Sequence, residues 1–485
     1  MSYEARTKPW AFYIAGQALT NDETIDIASP FDGQLAGVHC VPTAEDVEAA
    51  VQAAVDCAPV AAALSAAARA AALTHVSAML AERLDEVAEL ITAESGKPLM
   101  WARAEVNRGI STFRWAAEEA RRWSGETQRL DTDPAAAGRF AVVRRFPIGP
   151  VLGIAPFNFP LNLVAHKIAP AIAIGAPILI KPAPATPLTA LLLGEILAET
   201  DLPAGMWSVL PVDNAVSSQL VSDERLPVVS FTGSEGVGYS IQDTVPRKHV
   251  TLELGGNAAA VVLADWSSDE DLEWAATRIA TFANYQAGQS CISVQRLIVD
   301  ESVADKLQAL IIDKVKALPS GSPWDEKTVV GPVINEGAAV RIENWIGEAV
   351  EDGATLETGG SRDGCLVEPA VLTNLANDSK LSTEEVFGPV LTITRVSGVD
   401  EAFAAVNSSR FGLQAGVFTH NVQSAFRAQQ QLEVGGVIIG DVPSFRADQM
   451  PYGGVKSSGV GREGLQAAMI DLSHERVLVF TGVDL

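Results

Sequence analysis

Apolar and polar positions follow two regimes along this chain. Up to about residue 122 the sequence is Ala-rich, with Leu and Val recurring among polar residues at helical spacing. That spacing predicts helices over 46–61, 64–92 and 98–122. Thr43 stands as N-cap of the first, with Glu45 and Asp46 in its opening turn. Residues 129–139 read as a loop and 140–146 as a β-rich strand. From residue 150 the pattern changes to short apolar runs at 151–155, 177–180, 207–210, 228–231 and 250–252. Helical stretches separate them near 161–174, 187–200, 214–222 and 236–243. Such alternation predicts βαβ units and a parallel sheet, hence an α/β fold. A second α/β unit follows, with helices near 268–286 and 301–317 and strands near 294–299, 389–395 and 435–439. Residues 353–364 read as surface loop. The chain closes on a strand around 477–480. With 140–146 it forms either a projecting ribbon that meets another subunit or part of an internal sheet.

Composition narrows the class. A chain of 485 residues is long enough for two or three domains, and 48% hydrophobic with 20% charged residues suits a soluble globular protein. The net charge of −25 argues against nucleic acid and anionic membranes as partners. It also requires that an anionic cofactor be held by local devices. The four cysteines, Cys40, Cys57, Cys291 and Cys365, form no CxxC pair and no disulfide framework, which points to a reducing, cytoplasmic setting. The polar N-terminus has no apolar leader segment. The longest apolar stretch, 168–180, is broken by Pro170, Gly175 and Pro177 and reads as helix, turn and strand. The His residues show no ligand spacing, so no metal site is expected.

The chemistry concentrates in a few polar segments. Cys291 ends Gly-Gln-Ser-Cys, and Glu253 lies in Leu-Glu-Leu-Gly-Gly-Asn. A lone thiol and a carboxylate in two Gly-rich loops read as nucleophile and base; either alone would suit a buried, inert Cys equally well. Asn158, in Phe-Asn-Phe-Pro, offers an amide donor for an oxyanion or is simply a turn residue. Lys181 ends a strand, where it suits a phosphate or ribose hydroxyl. Gly233 and Ser234 open a helix whose N–H groups suit a pyrophosphate, although Ser234 also suits a plain N-cap. Glu385 and Phe387 pair an acid with an aromatic, and 451–464 is a Gly-dense loop that shapes a site or acts as a structural lid. Asn158, Lys181, Gly233 and Glu253 all follow predicted strands, so one sheet edge gathers them.

Taken in order, FNFP, IKP, FTGS, LELGG, GQSC, EEVFGP and YGGVKSSG resemble the aldehyde dehydrogenase superfamily from about residue 20 onward. The resemblance implies a Rossmann-type cofactor domain (1–127 and 148–255), an α/β catalytic domain (256–442) and a β-ribbon oligomerisation arm (128–147 and 470–485), with 443–469 returning to the cofactor domain. It implies that Cys291 attacks an aldehyde, that Asn158 stabilises the oxyanion, and that a thioester on Cys291 is hydrolysed by water activated by Glu253. Lys167 and Glu463 would pass the proton to solvent. Lys181, Gly233, Ser234, Glu385 and Phe387 would hold NAD or NADP, with Val237 and Leu254 beside them. Pro184 stands where many NAD-using members carry Glu, so no carboxylate there repels a 2′-phosphate. A homodimer or homotetramer is expected.

The segment 444–450 resembles the lactaldehyde and non-phosphorylating glyceraldehyde-3-phosphate dehydrogenase branch. Arg108 would face an anionic substrate, or be a solvated helix residue. Ser290 stands where phosphate-binding members often have Arg, which argues against a strongly anionic substrate. Three other readings are a coenzyme A-acylating enzyme, a cysteine hydrolase without cofactor, and a non-catalytic binding protein on the same fold.

Overall fold

The computed structural model describes residues 3–483. Residues 1, 2, 484 and 485, at the outer ends of the expected cofactor and ribbon segments, lie outside it. Two large sheets organise the chain. The first has eight strands, in the order Gln17–Leu19, Phe12–Ile14, Trp207–Val209, Ile178–Lys181, Val151–Ile154, Val228–Thr232, His249–Glu253 and Gly459–Val460. Its five central strands are parallel. Taken from Val151–Ile154, their spatial order is 3-2-1-4-5, so the order reverses between Val151–Ile154 and Val228–Thr232. Ligands of open α/β sheets bind at such a reversal, beyond the carboxyl ends of the strands. Central strands with both faces covered read as unbroken apolar runs, and Val151–Ile154 and Ile178–Lys181 are buried throughout.

The second sheet has seven strands, in the order Thr355–Thr358, Ala370–Thr373, Val390–Val396, Arg296–Asp300, Ala259–Val262, Gln414–Phe418 and Gly436–Ile439. Only the edge strand Thr355–Thr358 runs antiparallel to its neighbour. A separate three-stranded antiparallel sheet joins Ser473–Thr481, Arg139–Pro147 and Glu126–Arg129. The terminal strand is therefore part of neither large sheet. Its Val477, Leu478, Val479 and Phe480 are exposed.

Helix starts follow the sequence closely. Thr43 caps Ala44–Ala63 through a capping box with Asp46. The expected helix over 64–92 instead divides into Ala66–Glu82 and Leu84–Ser95 at Arg83, whose guanidinium pairs with Glu86 and Glu195. Apolar spacing continues through the break and so conceals it. Four strands between Phe12 and Cys40 precede the helices and were not expected. They form two local hairpins, and the first joins the large sheet through a strand almost two hundred residues on, Tyr13 opposite Val209. The surface loop expected over 353–364 carries the edge strand Thr355–Thr358 and opens a small hairpin at Arg362–Asp363. Among the described residues, no single helix is long and apolar enough to cross a membrane.

Candidate active site

One cavity of about 1120 Å³ opens beyond the carboxyl ends of the first sheet and reaches the second. Asn158, Lys181, Pro184, Gly233, Ser234 and Val237 line it from the first sheet's side, with Glu253 and Leu254 beside them. Ser290, Cys291, Glu385 and Phe387 line it from the other side, and Arg108 and Glu463 complete it. Lys167 is the one predicted site residue that does not reach the cavity wall. It lies buried behind Glu463.

The loop before Cys291 is held in an unusual backbone. Gln286 and Ala287 take left-handed conformations (φ 42° and 58°), as does Phe387 opposite (φ 48°). Such strain in non-Gly residues persists only where the surroundings impose it. Gly288 is required here: its φ is 69°, and an added Cβ would stand 2.0 Å from the Gly388 carbonyl oxygen. Gly256 answers a second close approach, since a Cβ there would stand 2.3 Å from the Cys291 carbonyl oxygen. The Gly residues thus bring the Glu253 and Cys291 loops together.

Cys291 is partly exposed, but only to the cavity, with protein around it. Burial pushes its thiol up to about 12, and the Tyr452 hydroxyl, 3.1 Å from Sγ, works against that rise. Asn158 Nδ2 donates to the Gln289 carbonyl at 3.0 Å, two residues before Cys291, which leaves its second N–H for another acceptor. Glu253 ends its strand fully buried, opposite Thr232 in the sheet, and neither of its oxygens accepts a hydrogen bond from a described residue. Burial, then the nearby Glu463, raises its pKa well above the usual carboxylate range.

Glu463 behaves oppositely. Burial would raise it, but Lys167 and Arg446 overcome that and hold it at about 2. Lys167 Nζ lies 2.8 Å from Thr232 Oγ1 and 3.4 Å from Glu463 Oε1, while Arg446 Nη2 donates to Glu463 Oε2 at 3.0 Å. Arg108 is neither free nor simply solvated: its Nε and Nη2 both donate to the buried Asp448.

The loop carrying Asn158 has its own anchor, which the sequence reading missed. Glu105 Oε1 accepts the N–H groups of Leu161 and Asn162, at 2.9 and 3.0 Å, where the helix Asn162–Ile174 begins. Its other oxygen pairs with Lys97, and both side chains are buried. Lys97 also sits 4.2 Å from the centre of the Phe159 ring. Glu105→Ala would strand a buried ammonium and two amides, so it should destabilise the protein by about 3–5 kcal/mol, read as a lower denaturation midpoint. Unchanged stability would mean the pair does not hold this loop.

A model described as the aldehyde dehydrogenase family matches residues 18–477. The chain belongs to the aldehyde dehydrogenase family. It is 39% identical over 480 residues to a 3-sulfolactaldehyde dehydrogenase of Priestia aryabhattai, covering 99% of each chain. It is 36% identical to a lactaldehyde dehydrogenase of Methanococcus maripaludis, covering 97% of this chain and all of that one. Among solved structures, aldehyde dehydrogenase 21 of Physcomitrella patens, bound to the reaction product succinate, superposes with a TM-score of 0.96 at 42% identity, covering 98% of this chain and 99% of the other. An NADP-dependent glyceraldehyde-3-phosphate dehydrogenase of Bacillus halodurans in complex with NADP gives 0.93 at 34% identity, covering 98% and 100%. This aldehyde dehydrogenase is therefore an enzyme of the α/β aldehyde dehydrogenase fold that carries out NAD(P)-dependent aldehyde oxidation.

The cavity of this dehydrogenase fits a dinucleotide. Ser234 stands at the N-terminus of the helix Glu235–Thr244 without using its side chain as a cap, and a Cβ on Gly236 would meet nothing within 4 Å. The start of this helix thus lies uncapped on the cavity with room beside it, which suits a pyrophosphate. Lys181 is buried and donates to Asn214 Oδ1 at 3.1 Å, and burial lowers it to about 8. Glu385 accepts the Gly256 N–H at 2.8 Å, and burial raises it to about 7. Leu254 packs beneath Gly238, and Phe387 meets Phe157 edge-on at 5.8 Å. Besides Glu105 and Lys97, the sequence reading missed Tyr452 and Arg446. Both lie in segments it singled out, but their partners are distant in sequence.

Proposed function

We propose that Cys291 is the nucleophile and that the enzyme converts its aldehyde to a carboxylic acid through a covalent thioester. The observation that carries this reading is the meeting of Cys291, Asn158 and Glu253 around one cavity, with Glu253 accepting no hydrogen bond from a described residue. The Cys291 thiolate attacks the aldehyde carbon. The free N–H of Asn158 and the Cys291 backbone N–H receive the oxyanion; losing one such donor typically costs about 3–4 kcal/mol of transition-state stabilisation. Lys181, Ser234, Gly233 and Glu385 would hold the NAD or NADP, beside Pro184, Val237 and Leu254, and Phe387 would line the nicotinamide end. When bound, the nicotinamide supplies the two-electron acceptor. Glu253 then takes a proton from water that attacks the thioester. Glu463 and Lys167 carry the proton away; because Lys167 lies behind Glu463, it acts through that carboxylate. Glu253 is the residue that speaks against a coenzyme A-acylating enzyme.

The substrate is an aldehyde that also bears an anionic group. Ser290 supplies no cation beside the nucleophile, but Arg446 and Arg108 both reach the cavity. Relatives named for sulfolactaldehyde, and a neighbour bound to succinate, handle such molecules. A panel of carboxylated, sulfonated, hydroxylated and aromatic aldehydes, with NAD and NADP in parallel, tests this. Arg108→Leu should raise KM for anionic aldehydes tenfold or more, from hydrogen bonds to charge worth ~1.5–3 kcal/mol. It should leave uncharged aldehydes nearly unchanged. Equal effects on both classes would remove Arg108 from recognition.

The exposed apolar side chains of Val477, Leu478, Val479 and Phe480 support assembly as a homodimer or homotetramer through the three-stranded ribbon. The two large sheets support the division into cofactor units (1–127 and 148–255), catalytic unit (256–442), return segment (443–469) and ribbon (128–147 and 470–485). Four free cysteines support a cytoplasmic setting.

A further inference from the structure

Tyr452 belongs to the Gly-dense loop, yet its hydroxyl lies 3.1 Å from Cys291 Sγ. Its backbone is fixed by a two-way bridge: Tyr452 N–H donates to the Glu463 carbonyl at 2.9 Å, and Glu463 N–H donates back at 2.7 Å. Its ring is buried with Ile292 and Leu413 against Cys291. Arg446 lies over that ring, 3.8 Å from its centre, and pairs with Glu463. The nucleophile, the phenol, the guanidinium and the relay carboxylate therefore form one contiguous stack. Resting on the reading of Cys291 as nucleophile, we propose that Tyr452 is a further catalytic residue: its hydroxyl donates to Cys291 Sγ and stabilises the thiolate, and Arg446 over its ring strengthens that donor.

The direction of the hydrogen bond follows from proton count. A thiol or a phenol can donate in the neutral pair, but a thiolate has no proton, so in the reactive state the phenol must donate. The other groups facing the sulfur make such a donor necessary. Glu385 and Glu253 both disfavour a negative sulfur, Arg446 favours it, and the buried Tyr285 is neutral. Burial alone would keep the thiol protonated, and Tyr452 is the group that opposes burial through direct contact. The stack divides the labour. The thiol proton leaves to water in the cavity, and Tyr452 keeps its own. When the sulfur–carbon bond forms, the sulfur loses its charge and the phenol is released. A guanidinium above the ring draws π density and makes the hydroxyl more acidic, which suits this role.

The test uses the full-length enzyme without aldehyde or cofactor. The rate of Cys291 alkylation by iodoacetamide is measured against pH, with mass spectrometry locating the label. In Tyr452→Phe, which keeps the ring under Arg446, the midpoint should rise by about one unit, so alkylation below the midpoint falls about tenfold. Protein carrying 3-fluorotyrosine, a stronger phenol donor, should move the midpoint down, and this arm keeps the test alive if Tyr452→Phe folds poorly. An unchanged midpoint in either protein, or a shift of opposite sign, overturns the proposal. Turnover that survives alkylation of Cys291 would instead overturn the nucleophile reading and leave the midpoint comparison standing.

Discussion

Cys291→Ala is expected to abolish aldehyde oxidation while leaving cofactor binding intact. Cys291 is the one cysteine among the described residues that lines the cavity, so no second thiol stands ready to replace it. Losing a nucleophile in enzymes that act covalently typically lowers turnover by roughly four orders of magnitude or more. Ala leaves a small void in a partly exposed position, so the effect should be on chemistry rather than on folding. Fluorescence titration with reduced cofactor checks the binding arm, since Lys181, Ser234 and Glu385 are untouched. Near-wild-type turnover in this variant would remove Cys291 from the mechanism.

Glu253→Gln is expected to separate the two halves of the reaction. A first burst of reduced nicotinamide should survive, followed by steady-state turnover slowed by about 10²–10⁴-fold, the usual contribution of a general base. A lost burst would place Glu253 on thiol activation instead. The pH dependence carries the same signature. Burial and Glu463 raise the Glu253 pKa, and the carboxylate is the active form. Wild-type steady-state turnover should therefore climb with pH through a midpoint above the ordinary carboxylate range and be lost below it. The Gln variant should lack that limb. A wild-type rate that fell as pH rose through this range would oppose a basic role.

Much of this site was legible because its residues sit where strands end. Asn158, Lys181, Gly233 and Glu253 each close an apolar run, and the five parallel strands bring those ends to one edge. The side chains across the cavity were legible as motifs, Cys291 and Glu385 among them, through their order along the chain. What stayed hidden depends on contacts between remote segments. Glu105 reads as one more charge on an amphipathic helix, yet it caps a helix more than fifty residues on. Tyr452 reads as an aromatic in a Gly-rich loop, and only the fold sets its hydroxyl against Cys291. The break at Arg83 escaped because Ala-rich periodicity runs through it. The N-terminal strands escaped because the first two are only three residues long and the third is largely exposed, so no apolar alternation marks them.

Intact-protein mass spectrometry of acid-quenched Glu253→Gln enzyme, mixed with an aldehyde and oxidised cofactor, tests the central claim most directly. An added acyl mass is expected on the intact protein and, after digestion, on the peptide containing Cys291, removed by hydroxylamine as a thioester is. Burst formation of reduced cofactor with no acyl mass on Cys291 would contradict it.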